Sequence, residues 1–370
     1  PAAWGVFQRG VCEGYSLSQE NAAMIFSLTI CFFGIGCILG GLLQDKKGPR
    51  TAGLAGAVLL AAGFCGAGFI PGENPWFFYG VFSVPVGLGC AFLYPSVMSC
   101  AQKWYADRKG LATGVIGGAV GASGAVLTFL GRFLIGTWSI RTAFWVLGLL
   151  MLAVCGAGAA ILENPEQPLR ETAKQKRGGG PAPKRPRDYS VKEMLKTNQY
   201  WLMFAVVGLA TPAVLLFSPI IVELAQERGL SQTAALACIV VGSVFSAAGR
   251  LLMPWLSDKI GRRYTDMLLL AALCGFSVWF IYAGSWWVIL VYSLLTFCYS
   301  GEAAVIPAAG TDLFGQKNAG INYGFLALGM SVGGKIGVAR CGGDMAVALF
   351  FGVGLGHLDE ICIGLAHRAI

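Results

Sequence analysis

The sequence predicts an all-α integral membrane protein made of two repeated halves, on three observations. The 370 residues are 56% hydrophobic and only 12% charged, with mean hydropathy +0.66, whereas soluble domains carry about a quarter charged residues. Apolar runs long enough to cross a bilayer follow one another along the chain. Two turns of the same chemistry also stand half a chain apart. Gly41-Leu42-Leu43-Gln44-Asp45-Lys46-Lys47-Gly48-Pro49-Arg50 follows one apolar run, and Pro254-Trp255-Leu256-Ser257-Asp258-Lys259-Ile260-Gly261-Arg262-Arg263 follows another. A helical hairpin repeated in this way marks a duplicated membrane bundle.

In chain order, Pro1-Ala2-Ala3-Trp4-Gly5-Val6-Phe7 turns polar at Gln8, so residues 1–8 read as the last turns of a first helix. Spans are expected at 22–43, 51–70, 76–101, 111–135, 142–162, 199–222, 232–255, 265–283, 286–309 and 321–339, each apolar with few charges. Residues 163–198 form a linker, broken by Pro165, Pro168, Gly178-Gly179-Gly180-Pro181, Pro183 and Pro186. The chain therefore divides into an N-terminal bundle at 1–162, the basic linker, and a C-terminal bundle at 199–370. The tail is atypical after about residue 337: the apolar stretch 345–356 is short for a span, and His357, Asp359 and Glu360 follow it. The 53 glycines would each cost about 1 kcal/mol against Ala in a soluble helix. Between membrane helices they permit close approach, and Gly117, Gly121, Gly329 and Gly333, spaced by four, are expected to seat helix on helix.

The net charge of +8 is not a nucleic-acid signature, because nine of the Lys and Arg fall in the linker and most of the rest in short turns. Lys46, Lys47, Arg50, Lys103, Arg108, Lys109, Lys259, Arg262, Arg263 and Lys317 share one side with the linker. Only Arg9, Arg132, Arg141 and Arg228 fall on the other. By the positive-inside rule the linker and loops 44–50 and 256–264 are cytoplasmic, in a multi-pass protein of the cell membrane. The linker then faces anionic lipid as a flexible tether. Twelve cysteines are scattered without a CxxC pair, and the two histidines, His357 and His367, lie near the end. No metal, cofactor, nucleotide loop or nucleophile motif is expected, and the chain does not read as an enzyme.

The residues that carry chemistry are few. Asp45 and Asp258 can each accept hydrogen bonds from a neighbouring helix N-terminus, while the following bases bond C-terminal carbonyls. Asp45, Lys46, Arg50, Asp258, Lys259 and Arg262 are therefore the expected gating residues. Arg250 lies eight residues before Asp258, roughly 12 Å inside the helix end. A cation at that depth is costly and usually functional, and its planar fork fits a carboxylate. Glu302 is a second charge within a span, either a proton carrier or a counter-ion to Arg250. Tyr94, Tyr299, Asn322 and Tyr323 are expected to line the path.

This pattern resembles the major facilitator superfamily, whose loops 2–3 and 8–9 carry the Asp-Lys-x-Gly-x-Arg turn. More narrowly, Ala3 to Phe7, the loop Lys103-Trp104-Tyr105-Ala106-Asp107-Arg108-Lys109-Gly110-Leu111-Ala112-Thr113-Gly114, and Arg250 with the turn after it resemble the oxalate:formate antiporter family, near the monocarboxylate porters. The resemblance implies two six-helix halves, here with incomplete first and last helices. It implies a monomeric secondary transporter of small carboxylates, with Arg250 on the substrate carboxylate and a proton as candidate coupling ion. It also implies a second cation in helix eleven. Aligned on Asn322-Tyr323-Gly324, that position falls near Met330, and Lys335 lies over a turn later. One cation suits lactate, pyruvate or formate better than oxalate. The alternatives are a facilitator for another small solute, a sensor without transport, or a truncated fragment.

Overall fold

The computed structural model describes residues 4–71, 74–165, 187–215, 217, 218 and 220–341. The first group of helices is α1 (Trp4–Tyr15), α2 (Gln19–Lys47), α3 (Pro49–Phe69), α4 (Pro75–Trp104), α5 (Lys109–Thr137) and α6 (Ile140–Ala160). The second is α7 (Asn198–Ala210), α8 (Gln232–Ile260), α9 (Arg262–Tyr282), α10 (Trp287–Phe314) and α11 (Ala319–Cys341). Among the described residues there is no strand, and eight helices, α2 to α6 and α8 to α10, are long and apolar enough to cross a membrane. The atypical tail lies outside the described residues from 342 on, as does most of the linker.

The duplication is visible residue by residue. The offset that carries Gln19 to Gln232 also carries Lys47 to Ile260, Pro49 to Arg262 and Phe69 to Tyr282, so α2 repeats as α8 and α3 as α9. It carries the N-cap Ser18, which accepts from Asn21 N–H, to the N-cap Ser231, which accepts from Ala234 N–H. It also carries Gly48 to Gly261. Both close their helix at positive φ (88° and 96°), with the N–H bonded to Gln44 O and Ser257 O. Only glycine takes that conformation without strain, which is why each basic turn holds one. At the far end, Tyr15 donates its hydroxyl to Ala67 O at 2.8 Å. Its repeat partner Arg228 donates to Phe280 O, the equivalent carbonyl, at 2.7 Å.

The two helix groups meet along two seams, α2 against α11 and α5 against α8. Both depend on missing side chains. A Cβ on Gly121 would stand 2.8 Å from Ala247 Cα, and one on Gly114 2.7 Å from Leu251 O. Gly324 would meet Cys37 O at 2.5 Å, and Gly41 would run into Gly320 O. Gly329 packs instead on α7, where its Cβ would be 2.8 Å from Phe204 O, and Gly333 packs on Gly208. Such contacts replace the hydrophobic drive that is absent between helices in lipid.

Three expectations need correction. The first helix does not stop at Gln8; it runs to Tyr15 because Trp4, Phe7, Val11 and Tyr15 form a buried stripe at helical spacing. The expected span 199–222 is interrupted after Ala210. It resumes as the short helices Pro212–Leu215 and Ile221–Glu227, since Pro212 has no N–H to continue the ladder. Helices α8 and α10 run to Ile260 and Phe314, past the expected 255 and 309. Gly261 and Gly315 end them, rather than a fall in hydropathy.

The seams yield a stability prediction. Gly121→Val should cost about 1–3 kcal/mol by overpacking and lower the thermal midpoint of the detergent-solubilised protein. Gly136→Ala, with nothing within 4 Å of the added carbon, should leave the midpoint unchanged or raise it slightly. Equal midpoints for Gly121→Val and the unchanged chain would contradict the close seam.

Candidate functional site

Arg250 sits on α8 where that helix crosses α5 and α10. A Cβ on Gly117 would lie 3.1 Å from Arg250 Cβ and 3.5 Å from Ala304 Cβ, so the glycine leaves room for the arginine stem. Three phenols surround the guanidinium. Tyr94, from α4, lies near both Arg250 and Tyr323. The rings of Tyr94 and Tyr323 lie 6.2 Å apart and inclined at 45°. Tyr299, from α10, faces Arg250, Glu302 and the hydroxyl of Thr211. Among the described residues no carboxylate oxygen lies within 4.0 Å of the Arg250 guanidinium. Its Nε is buried without a hydrogen-bond partner. A buried donor left open costs about 1–3 kcal/mol, more when charged, so the cluster favours an acceptor there.

A cavity with about 280 Å³ of atom-free space adjoins this cluster. Thr211, Glu302, Tyr323 and Met330 line it, with apolar walls from Val207 and Ile306. Arg250 is not one of its walls; Tyr323 belongs to both. Only about 10 Å³ is open to the centre of a water molecule, so the cavity closes around roughly one water. Glu302 is 3% exposed, deep in α10. Thr211 was not singled out from the sequence. It stands at the break after α7, fully buried, and donates to Val207 O at 2.6 Å. The local signal was the Thr-Pro pair that interrupts the span.

Asn322 is not a wall of this cavity. It lines a neighbouring cavity with Pro307 and Thr311, and its Nδ2 donates to Tyr189 O at 3.3 Å. Tyr189 belongs to the stretch that enters α7. There Ser190 and Glu193 form a capping box, and the hydrogen bonds from Ser190 hold the Glu193 carboxyl below its usual range.

The two basic turns lie together at one end of the molecule. Asp45 Oδ2 accepts from Ile321 N–H at 3.1 Å, in the first turn of α11. Asp258 accepts from Gly110 N–H and Leu111 N–H, each at 3.1 Å, in the first turn of α5. Each carboxylate thus caps a helix of the other group, where unbonded N–H groups and the helix dipole favour an anion. Arg262 pairs with Asp258 at 2.6 Å, donates to Pro254 O at 3.3 Å, and bonds Ser257 Oγ. Lys259 lies over the Trp255 ring at 3.8 Å, Lys46 is exposed, and Arg50 reaches Glu163 at 3.9 Å with both side chains mostly exposed. Two further charges join that had not been singled out. Lys109 Nζ is 2.8 Å from Asp312 Oδ1, and Arg262 Nε is 3.2 Å from Asp312 Oδ2. No short-range pattern links residues so distant in sequence. Among the described residues no group of His, Cys, Asp or Glu is placed to hold a metal ion.

The comparisons with known proteins agree with this architecture. The family model of the Major Facilitator Superfamily matches residues 7–338. A second model, HutP, matches 317–368, and from 342 on that match lies outside the described residues. The uncharacterized MFS-type transporter YhjX of Escherichia coli is 25% identical over 339 residues, covering 89% of this chain and 80% of that protein. The oxalate:formate antiporter of Oxalobacter formigenes is 24% identical over 346 residues, covering 91% and 80%. Among solved structures, the E. coli fucose:proton symporter FucP superposes with TM-score 0.67 at 16% identity, covering 99% of this chain and 96% of that one. A match to the family model over most of the length, on an all-helical multi-pass fold, leads to one conclusion: the chain belongs to the major facilitator superfamily and is a membrane transporter.

Proposed function

We propose that the chain is a secondary transporter of small monocarboxylates, such as lactate, pyruvate or formate, with the substrate carboxylate bound by Arg250. The observation that carries this is the buried Arg250 Nε without a partner, ringed by Tyr94, Tyr299 and Tyr323. A carboxylate supplies the acceptors that a guanidinium fork lacks there. The adjoining cavity, lined by Thr211, Glu302 and Tyr323, holds roughly one water as it stands and widens to admit a small carboxylate. Met330, near where the resemblance puts a second cation, is one of its walls and uncharged, which favours a monoanion over oxalate. The 24% identity to a protein named oxalate:formate antiporter supports the carboxylate class.

Residues 1–162 and 199–370 move as two bodies about this site, joined by the linker 163–198. Loops 44–50 and 256–264 and the linker face the cytoplasm of the cell membrane, and the transporter acts as a monomer. The cavity is too tight to load as it stands, so loading requires the bodies to separate at one end. The caps at Asp45 and Asp258 hold the turn end closed and release when it opens. Glu302, beside Tyr299, carries the coupled proton.

Three outcomes test this. Arg250→Gln in proteoliposomes should cut counterflow of labelled lactate or formate by about 30-fold or more, from the 2–5 kcal/mol attached to a buried charge pair. Arg250→Lys should not restore it, because the ammonium lacks the fork. Undiminished counterflow in Arg250→Gln refutes the carboxylate site. Glu302→Gln should flatten the dependence of uptake on external pH, and an unaltered profile removes proton coupling. Asp45→Asn should slow turnover while leaving substrate affinity nearly intact, and unchanged turnover removes the gating role.

A further inference from the structure

The two caps at the turn end occupy equivalent places in the repeat, yet their surroundings differ in chemistry. Around Asp258 the charges close a chain. Lys109, 5% exposed at the start of α5, bonds Asp312 at the end of α10. Asp312 also takes Arg262, and Arg262 pairs with Asp258, which caps α5 again. Partly buried pairs of this kind are weakly screened by salt, and removing one partner leaves the other uncompensated.

Around Asp45 the equivalent cations are missing. The offset that aligns Asp45 with Asp258 places Pro49 where Arg262 stands. The offset that aligns Gly320 with Gly110 places Ala319 at Lys109 and Gln102 at Asp312. Gln102 turns away to Thr113 at 3.0 Å. Lys103 is the cation that Asp45 feels, but its Nζ is on Asn164 at 3.3 Å. Asp45 therefore holds α11 by N–H bonds alone, from Ile321 with Gly320 N–H beside it. Gln44, 1% exposed in this contact, has both amide atoms without a partner. Closure keeps that desolvation cost, and opening to water relieves it.

We infer that the α5–α8 contact is the firm one and the α2–α11 contact the yielding one, with Lys109 and Asp312 as the positioning residues that set the difference. The turn end then parts along the α2–α11 seam, next to Tyr94 and Tyr323, and a solute leaves there. That last consequence rests on the alternating-access reading; the inequality of the contacts does not.

Hydrogen exchange on the full chain in lipid nanodiscs tests it. First-turn amides of a helix have no acceptor within the helix, so protection at Gly110 and Leu111, or at Gly320 and Ile321, reports the cap alone. Protection factors at 110 and 111 should exceed those at 320 and 321 about tenfold, a difference within reach of one charge-assisted network. Asp312→Asn should lower the first pair to the level of the second and leave the second unchanged. Asp312→Glu, which keeps a carboxylate between Lys109 and Arg262, should keep the first pair at its original level. Equal protection in the unchanged chain overturns the inference, as does an Asp312→Asn variant that loosens both helix starts alike. If Asp312→Asn does not fold, the comparison within the unchanged chain decides. Unequal protection without counterflow of any carboxylate would remove the transport reading and leave the unequal contacts standing.

Discussion

The molecule depends on keeping a guanidinium where water is scarce. On insertion scales an arginine at the centre of a span costs about 2.5–3.5 kcal/mol, and the surrounding helices are arranged to lower that cost. Gly117 gives up its side chain so that the stem can pass between α5 and α10. Tyr94, Tyr299 and Tyr323 come from α4, α10 and α11 and supply oxygens without negative charge. The Arg250 Nε stays buried without a hydrogen-bond partner. On the proposed function, that open donor is what a substrate carboxylate meets.

On the proposed mechanism, a second constraint is that two helix groups hold together and still part. Apolar side chains cannot supply a reversible contact in lipid, because lipid competes for them. Backbone proximity through glycine and N–H bonds to Asp45 and Asp258 can, since water offers the same groups equivalent partners when the contact opens. The charged holding points lie at the turn end, while the seams above are close-packed and carry a polar bond, from Ser331 Oγ to Ile30 O at 3.1 Å.

Much of this was legible in the sequence. Asp45 and Asp258 could be assigned to helix N-termini because only a few chemistries suit an Asp at a helix end. Arg250 stood out because hydrocarbon makes a charge conspicuous. Hydropathy failed where it ceased to govern. It ended the first helix at Gln8, although the buried stripe from Trp4 to Tyr15 carries the helix through polar residues. It joined 199–222 across Pro212, although proline breaks the ladder regardless of polarity. Lys109 and Asp312 were unreadable as a pair because their contact exists only after the four long helices between them, α6 to α9, have packed. The Nδ2 bond from Asn322 to Tyr189 O, which ties α11 to the stretch entering α7, was unreadable for the same reason: the partners are 133 residues apart.

The repeat has a consequence for what evolution was free to alter. From Tyr15 to Phe69, and from Arg228 to Tyr282, one offset holds throughout, although most paired residues differ in kind. Tyrosine has become arginine, cysteine stands opposite Arg250, and proline stands opposite Arg262. Extra residues would not have been so harmless: one inserted ahead of Gly48 would turn Asp45 about 100° around its axis and away from α11. Over this hairpin the two copies have therefore diverged in composition while keeping their length, and there the ruler has proved less expendable than the letters written along it.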